Sequence, residues 1–230
     1  MTRTHEIRPD LDEGIDRKVL SQLRARFLKL NEGRMARAME GLSTRQQGVL
    51  TLLPLFFHVN HPLLPGYVSG STPAGLSNYE PDADVLAEAQ RLTRSFSYKP
   101  RHGSNPPRPI HGLFLMGSLG SLAQAEHSDM DLWVCHAPGL PEHLLAELRR
   151  KCQLLEDWAA SLGAEAHFFL IDTQGFAQGQ RDGQLGSDDC GTTQHYLLLD
   201  EFYRTTLWLA GRTPLWWLVP VYQEHNYRAY

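Results

Sequence analysis

The sequence predicts a layered fold of mixed helix and strand, α/β or α+β. Three observations carry that reading. Segments 11–41, 82–94 and 141–162 repeat apolar residues at three- and four-residue steps, as amphipathic helices do. Short apolar runs occur at HGLFLMG (111–117), SDMDLWVCH (128–136) and AEAHFFLID (164–172), each of strand length. From the first of these runs onward, strands and helices intermix along the chain, which suits a sheet layered with helices. Periodicity alone leaves the strand order open.

The first helix carries Ile15, Val19, Leu23, Phe27 and Leu30 on one stripe. Ser43 is a candidate N-cap for a second helix ending near Leu53, with Pro54, Pro62 and Pro65 breaking the pattern. HPLLPGYVSGSTPAGLSNY (61–79) reads as an ordered loop, and the third helix spans Asp82 to Arg94. The Pro-, Gly- and base-rich stretch 97–109 marks the boundary between a helical N-terminal region, 1–100, and a core, 101–230. In the core, a long helix from Pro141 to Leu162 stops at Gly163, and residues 173–191 form a polar loop. TTQHYLLLDEFYRTTLWLA (192–210) reads as a last helix stopped by Gly211.

The chain has 230 residues, 42% hydrophobic and 21% charged, enough for one large domain or two small ones. A formal net charge of -4 argues against nucleic acid as partner. No apolar run reaches the ~18 residues of a membrane span. Three cysteines, Cys135, Cys152 and Cys190, follow a polar start without a signal-like apolar stretch, so free thiols in a cytoplasmic protein are expected.

Chemistry concentrates in LFLMGSLGSLAQAEHSDMDLWV (113–134). A strand ends at Gly117-Ser118, and the next opens with Asp129 and Asp131, eleven and thirteen residues after that serine. Gly117 lets backbone approach a ligand closely, and Ser118 offers a hydroxyl beside amides suited to phosphate. Alternation along the strand points Asp129 and Asp131 the same way, about 6–7 Å apart at Cα. Two carboxylates so placed can hold a pair of divalent ions about 3.5–4 Å apart. Mg²⁺ fits such oxygen donors, with Mn²⁺ as the alternative. The opposing reading is a surface turn and a solvated strand edge.

This pattern resembles the signature of the DNA polymerase β-like nucleotidyltransferases, whose third carboxylate comes from a neighbouring strand. Asp172, closing HFFLID, is the candidate, either as base on an attacking hydroxyl or as metal ligand; its alternative role is to cap the turn after it. Glu165 ranks second because it lies at the other end of that strand. Trp133 shares the carboxylate face and either stacks on a nucleobase or fills the core. Arg204 and Arg212 are candidate phosphate cations. Arg149, Arg150 and Lys151 read as a solvated helix face. Cys190 and His195 read as structural, and His58 and His61 as loop packing. No Walker A or G-x-G-x-x-G motif occurs.

A wider resemblance runs from about residue 12 to residue 220. MGS with SDMDLWVCH, HPLLPGY, RKCQLLEDWAASLG, FFLID and DCGTTQHYLLLDEFYRT are similar to the corresponding stretches of bacterial class I adenylate cyclases. The resemblance implies an α+β nucleotidyltransferase core, a mixed sheet flanked by helices, behind a helical N-terminal region. It implies conversion of ATP to 3′,5′-cyclic AMP and pyrophosphate with Mg²⁺, and a C-terminal regulatory region absent from this chain. Gly117, Ser118, Ser128, Asp129, Asp131 and Trp133 match the family's Gly-Ser and Ser-Asp-x-Asp-x-Trp. Leu119, Glu126 and His127 depart from the small hydroxyl residues usual between the two motifs. Two other readings of the motif stand: transfer of AMP to an external hydroxyl, and nucleotide binding without turnover.

Overall fold

A computed structural model describes residues 17–100, 108–117, 119, 129–177, 202 and 204–214. Three helices come first: α1 (Arg17–Glu40), α2 (Thr44–His58) and α3 (Ala83–Leu92). Strands β1 (Ile110–Met116) and β2 (Met130–His136) follow, then α4 (Glu142–Ser161), β3 (Ala166–Asp172), α5 (Thr173–Ala177) and β4 (Leu207–Gly211). The strands form one mixed sheet in the order β3-β2-β1-β4. β1 is antiparallel to both its neighbours, while β2 and β3 run parallel. A parallel pair needs a long crossover, and α4 supplies it.

Ser43 caps α2 as expected: its hydroxyl accepts from Gln46 N–H, and the Gln46 side chain accepts from Ser43 N–H. The helix does not stop at Pro54, however, but runs on to His58. A proline inside a helix costs about 3 kcal/mol. Leu50, Leu52, Leu53, Leu55, Phe56 and Phe57 are all buried around it, and each such side chain gains about 1.5–3 kcal/mol by leaving water. Burial therefore outweighs the broken ladder.

The second correction concerns the last expected helix. Its end, Leu207–Gly211, is a strand paired with β1. Leu-Trp-Leu-Ala is compatible with either periodicity, and the open edge of β1 selects the extended form. Gly211 has φ +101°, and a Cβ there would lie 2.5 Å from His111 O and 2.6 Å from Gly112 Cα. Gly211→Ala is expected to destabilise the fold by about 2–4 kcal/mol, read as a fall in the denaturant midpoint.

The two faces of the sheet differ. Leu113, Leu115, Met130, Leu132, Val134 and Leu170 join the main core with buried residues of α2 and α4. Leu119 is buried in the same core, so the chain just past Gly117 is anchored inward. On the opposite face, Phe114, Met116, Trp133, Ile171 and Phe202 form a smaller, aromatic core. α1 closes the β4 edge. The Asn31 side-chain amide donates to Trp208 O and its oxygen accepts from Trp208 N–H, both at 2.8 Å, imitating a neighbouring strand.

Lys151 also departs from expectation: it is buried, not part of a solvated face. Its Nζ donates to Gly66 O at 3.3 Å and lies 5.8 Å from the centre of the Phe57 ring, pinning the 61–79 loop to α4. Burial lowers its pKa to about 8. Because the unfolded lysine binds its proton up to about pH 10.4, that penalty is full below pH 8 and is relieved as pH rises. Tyr79, whose pKa burial raises, opposes the trend above its ordinary value of 10.0. The thiols of Cys135 and Cys152, whose pKa values burial also raises, oppose it from their ordinary value of 9.0 upward, so the rise in stability is expected between pH 8 and 9. Lys151→Met should flatten that rise and stabilise the protein near pH 7 by about 1–3 kcal/mol, as chemical denaturation across pH will show.

Candidate active site

The antiparallel β1–β2 pair places Met116 opposite Asp131. The chain then leaves the sheet at Gly117, with φ +88°. A Cβ at Gly117 would sit 3.8 Å from Asp131 Oδ2, so the glycine bend and the carboxylate are direct neighbours. Asp131 is half-buried at the rim of the aromatic core, two residues from Trp133, and Asp129 is exposed beyond it. Partial burial raises the Asp131 pKa; Asp129 adds to the rise, and His167 opposes it. A carboxylate whose charge is poorly solvated and repelled by a second acid is set up to receive a cation.

β3 completes this end of the sheet. Its parallel register puts His167 opposite Asp131 and Ala166 opposite Met130. Glu165 O accepts from Met130 N–H at 2.8 Å, which fixes Glu165 beside the start of β2. Donor atoms of Asp129, Glu165 and His167 all lie within 4.8 Å of one another. His167 Nε2 is 3.5 Å from Glu165 Oε1. Two carboxylates and an imidazole, with Asp131 adjoining, are a donor set that suits a divalent ion.

Asp172 is not part of this group. It pairs with His136, five residues along β3 from His167, about 16 Å away by strand rise. Its Oδ1 accepts from Gln174 N–H at 2.9 Å and from Gly175 N–H at 2.7 Å, so it caps the turn into α5. Arg212 shares that far end, its N–H donating to His111 O at 2.7 Å. Burial, Arg212 and His136 lower the His111 pKa while Asp172 opposes them, so these groups neighbour one another there.

Trp133 is a core residue rather than a nucleobase platform: it is 3% exposed, with ring centroids 4.8 Å from Phe202 and 5.4 Å from Phe176. Arg204 is exposed and lies at the site's end of the sheet. Leu207 pairs with Leu115, so residues just before β4 run toward Gly117. Arg34 of α1 holds that segment, donating to Thr206 O at 2.9 Å and to Thr205 O at 2.5 Å. Thr206 Oγ1 donates to Met116 Sδ at 2.7 Å. Ser118, Ser128, Cys190 and His195 lie outside the described residues. His58 is buried, with Nδ1 accepting from Leu76 N–H at 3.2 Å, and His61 packs edge-on to Phe96, so both serve loop packing.

The sequence has counterparts among known proteins. The family model "Adenylate cyclase NT domain" matches residues 19–217. The chain belongs to that family. Among curated relatives, the adenylate cyclase of Escherichia coli K12 is 44% identical over 216 residues, 92% of this chain and 25% of that protein. The adenylate cyclase of Proteus mirabilis is 42% identical over 212 residues, 92% of this chain and 24% of that protein. That of Yersinia intermedia is 40% identical over 211 residues, 92% of this chain and 25% of that protein. The chain spans about a quarter of the length of the curated relatives it matches. No solved structure matches it. Among the described residues, no helix is long and apolar enough to cross a membrane.

Proposed function

We propose that this domain carries the catalytic site of an adenylate cyclase, converting ATP to 3′,5′-cyclic AMP and pyrophosphate on a nucleotidyltransferase-like sheet. The observation that supports it most is the contact between the Gly117 bend and Asp131, with Asp129 and Glu165 alongside. A triphosphate laid over the bend meets backbone without a Cβ in the way and reaches the acids at the same strand ends. Ser118 and Ser128, flanking the bend and the Asp-x-Asp, are assigned to phosphate contact. Arg204 is assigned to the pyrophosphate end of ATP.

Asp129 and Asp131 are the primary metal carboxylates, and Glu165 takes the third-carboxylate role in place of Asp172. When bound, Mg²⁺ or Mn²⁺ acidifies the attacking 3′-hydroxyl and neutralises charge on the departing pyrophosphate. The protein's own share is positioning. Residues on three strand ends hold the ribose hydroxyl in line with the α-phosphorus, and the rigid sheet keeps that geometry. Cyclisation releases one proton from the 3′-hydroxyl, and the Glu165 carboxylate is assigned to accept it. The remaining three quarters of the relatives' length is the natural place for a regulatory region.

The test is product analysis of the 230-residue chain incubated with ATP and Mg²⁺ or Mn²⁺. Cyclic AMP and pyrophosphate in equal amounts, with no added acceptor, are expected. AMP joined to an added alcohol would make the protein a transferase. ATP binding with neither product would make it a binding module.

A further inference from the structure

We propose that His167 is a direct nitrogen ligand of one of the site's divalent ions, and that this position favours Mn²⁺ over Mg²⁺. The inference deepens the cyclase reading and rests on it for the presence of a cation. Its basis is the position of the imidazole. His167 faces Asp131 across the β2–β3 ladder. Its donor nitrogen lies with oxygens of Asp129 and Glu165 in a cluster no wider than 4.8 Å. Ligands at about 2.0–2.2 Å from one ion stand roughly 3–4.4 Å apart, so small rotations about the side-chain bonds close this group on a cation.

The surroundings suit that role better than a structural one. The His167 and Glu165 side chains are 49% and 68% exposed. Their 3.5 Å contact is longer than a good hydrogen bond, so neither is committed to the other. Exposure also leaves room for water or triphosphate oxygens to complete the shell. Mg²⁺ takes oxygen ligands and gives up water reluctantly. Imidazole nitrogen is a ligand of first-row transition ions. One nitrogen among carboxylates therefore shifts the preference of that position toward Mn²⁺, while the Asp129–Asp131 side remains an all-oxygen position.

The experiment adds Mn²⁺ to the tag-free 230-residue chain in the absence of ATP. Electron paramagnetic resonance titration gives the affinity, and electron spin-echo modulation detects ¹⁴N bound directly to the ion. The unaltered chain should show imidazole ¹⁴N modulation. His167→Gln should lose it, with Mn²⁺ affinity falling roughly tenfold and Mg²⁺ affinity, measured by calorimetry, holding within about twofold. Asp129→Asn should weaken both ions. His167→Asn repeats the test, and circular dichroism checks that each variant is folded. Absent ¹⁴N modulation on bound Mn²⁺, modulation that survives in both His167 variants, or no Mn²⁺ binding at all overturns the proposal. Since nucleotide is left out, missing cyclic AMP in the product assay bears on the enzymatic reading alone.

Discussion

Asp131→Asn is expected to reduce cyclic AMP formation by at least about a thousandfold while leaving the fold as stable as before or slightly more so. The substitution keeps shape and one acceptor oxygen and removes only the charge. Electrostatic groups aimed at developing charge typically account for about 10²–10³ in turnover when one is removed. Asp131 would lose both its share of ion binding and that effect. The stability half follows from the sign of its pKa shift. Burial and Asp129 raise the Asp131 pKa, so in the ion-free protein the charged form is less favourable folded than unfolded. Neutralising it cannot cost stability through that route at neutral pH. Activity lost with an unchanged or higher melting temperature is the signature of a residue kept for chemistry. Near-normal turnover in the folded variant would remove Asp131 from the catalytic machinery.

Much of this site was legible in the residues themselves. Alternation along SDMDLWVCH gives the shared face of Asp129 and Asp131, and an apolar run ending in Gly-Ser gives the neighbouring bend. Trp133 is open in sequence between the core and a nucleobase, and Lys151, beside two arginines, looks exposed there. Their burial depends on Phe202, Phe176, Phe57 and Gly66, which arrive from distant segments. Strand β4 was hidden because a short apolar run follows whichever partner offers free hydrogen bonds, and the edge of β1 offers them. α2 continues through Pro54 because the buried core around it outweighs local propensity, which is all a sequence displays at that position.

The distance of Asp172 from Asp129 and Asp131 follows from a feature the sequence did contain. Two strands joined by a 20-residue helix, here α4, have room to run parallel. In a parallel pair the starts of both strands lie together. Glu165 and His167 then sit beside Asp129 and Asp131, and Asp172 sits with His136 at the other end. An antiparallel picture of β2 and β3 reverses this assignment and favours Asp172.

That register yields the second large effect. Glu165→Gln is expected to lower turnover by about 10²–10³, because it removes an acid held against the start of β2 by the hydrogen bond from Met130 N–H to Glu165 O. The backbone bond survives the substitution, so the strand register should not change. Asp172→Asn is expected to stay within about threefold of the unaltered chain in both kcat and KM. The asparagine oxygen can still accept from Gln174 N–H and Gly175 N–H. Asp172→Ala removes that cap, and should lower stability by about 1 kcal/mol without a comparable loss of turnover. Steady-state cyclic AMP production and thermal melts on the three variants separate the two ends of β3. An inactive Asp172→Asn beside an active Glu165→Gln would place the chemistry at the far end, with His111, His136 and Arg212, and would remove the Gly117 bend from any part in it.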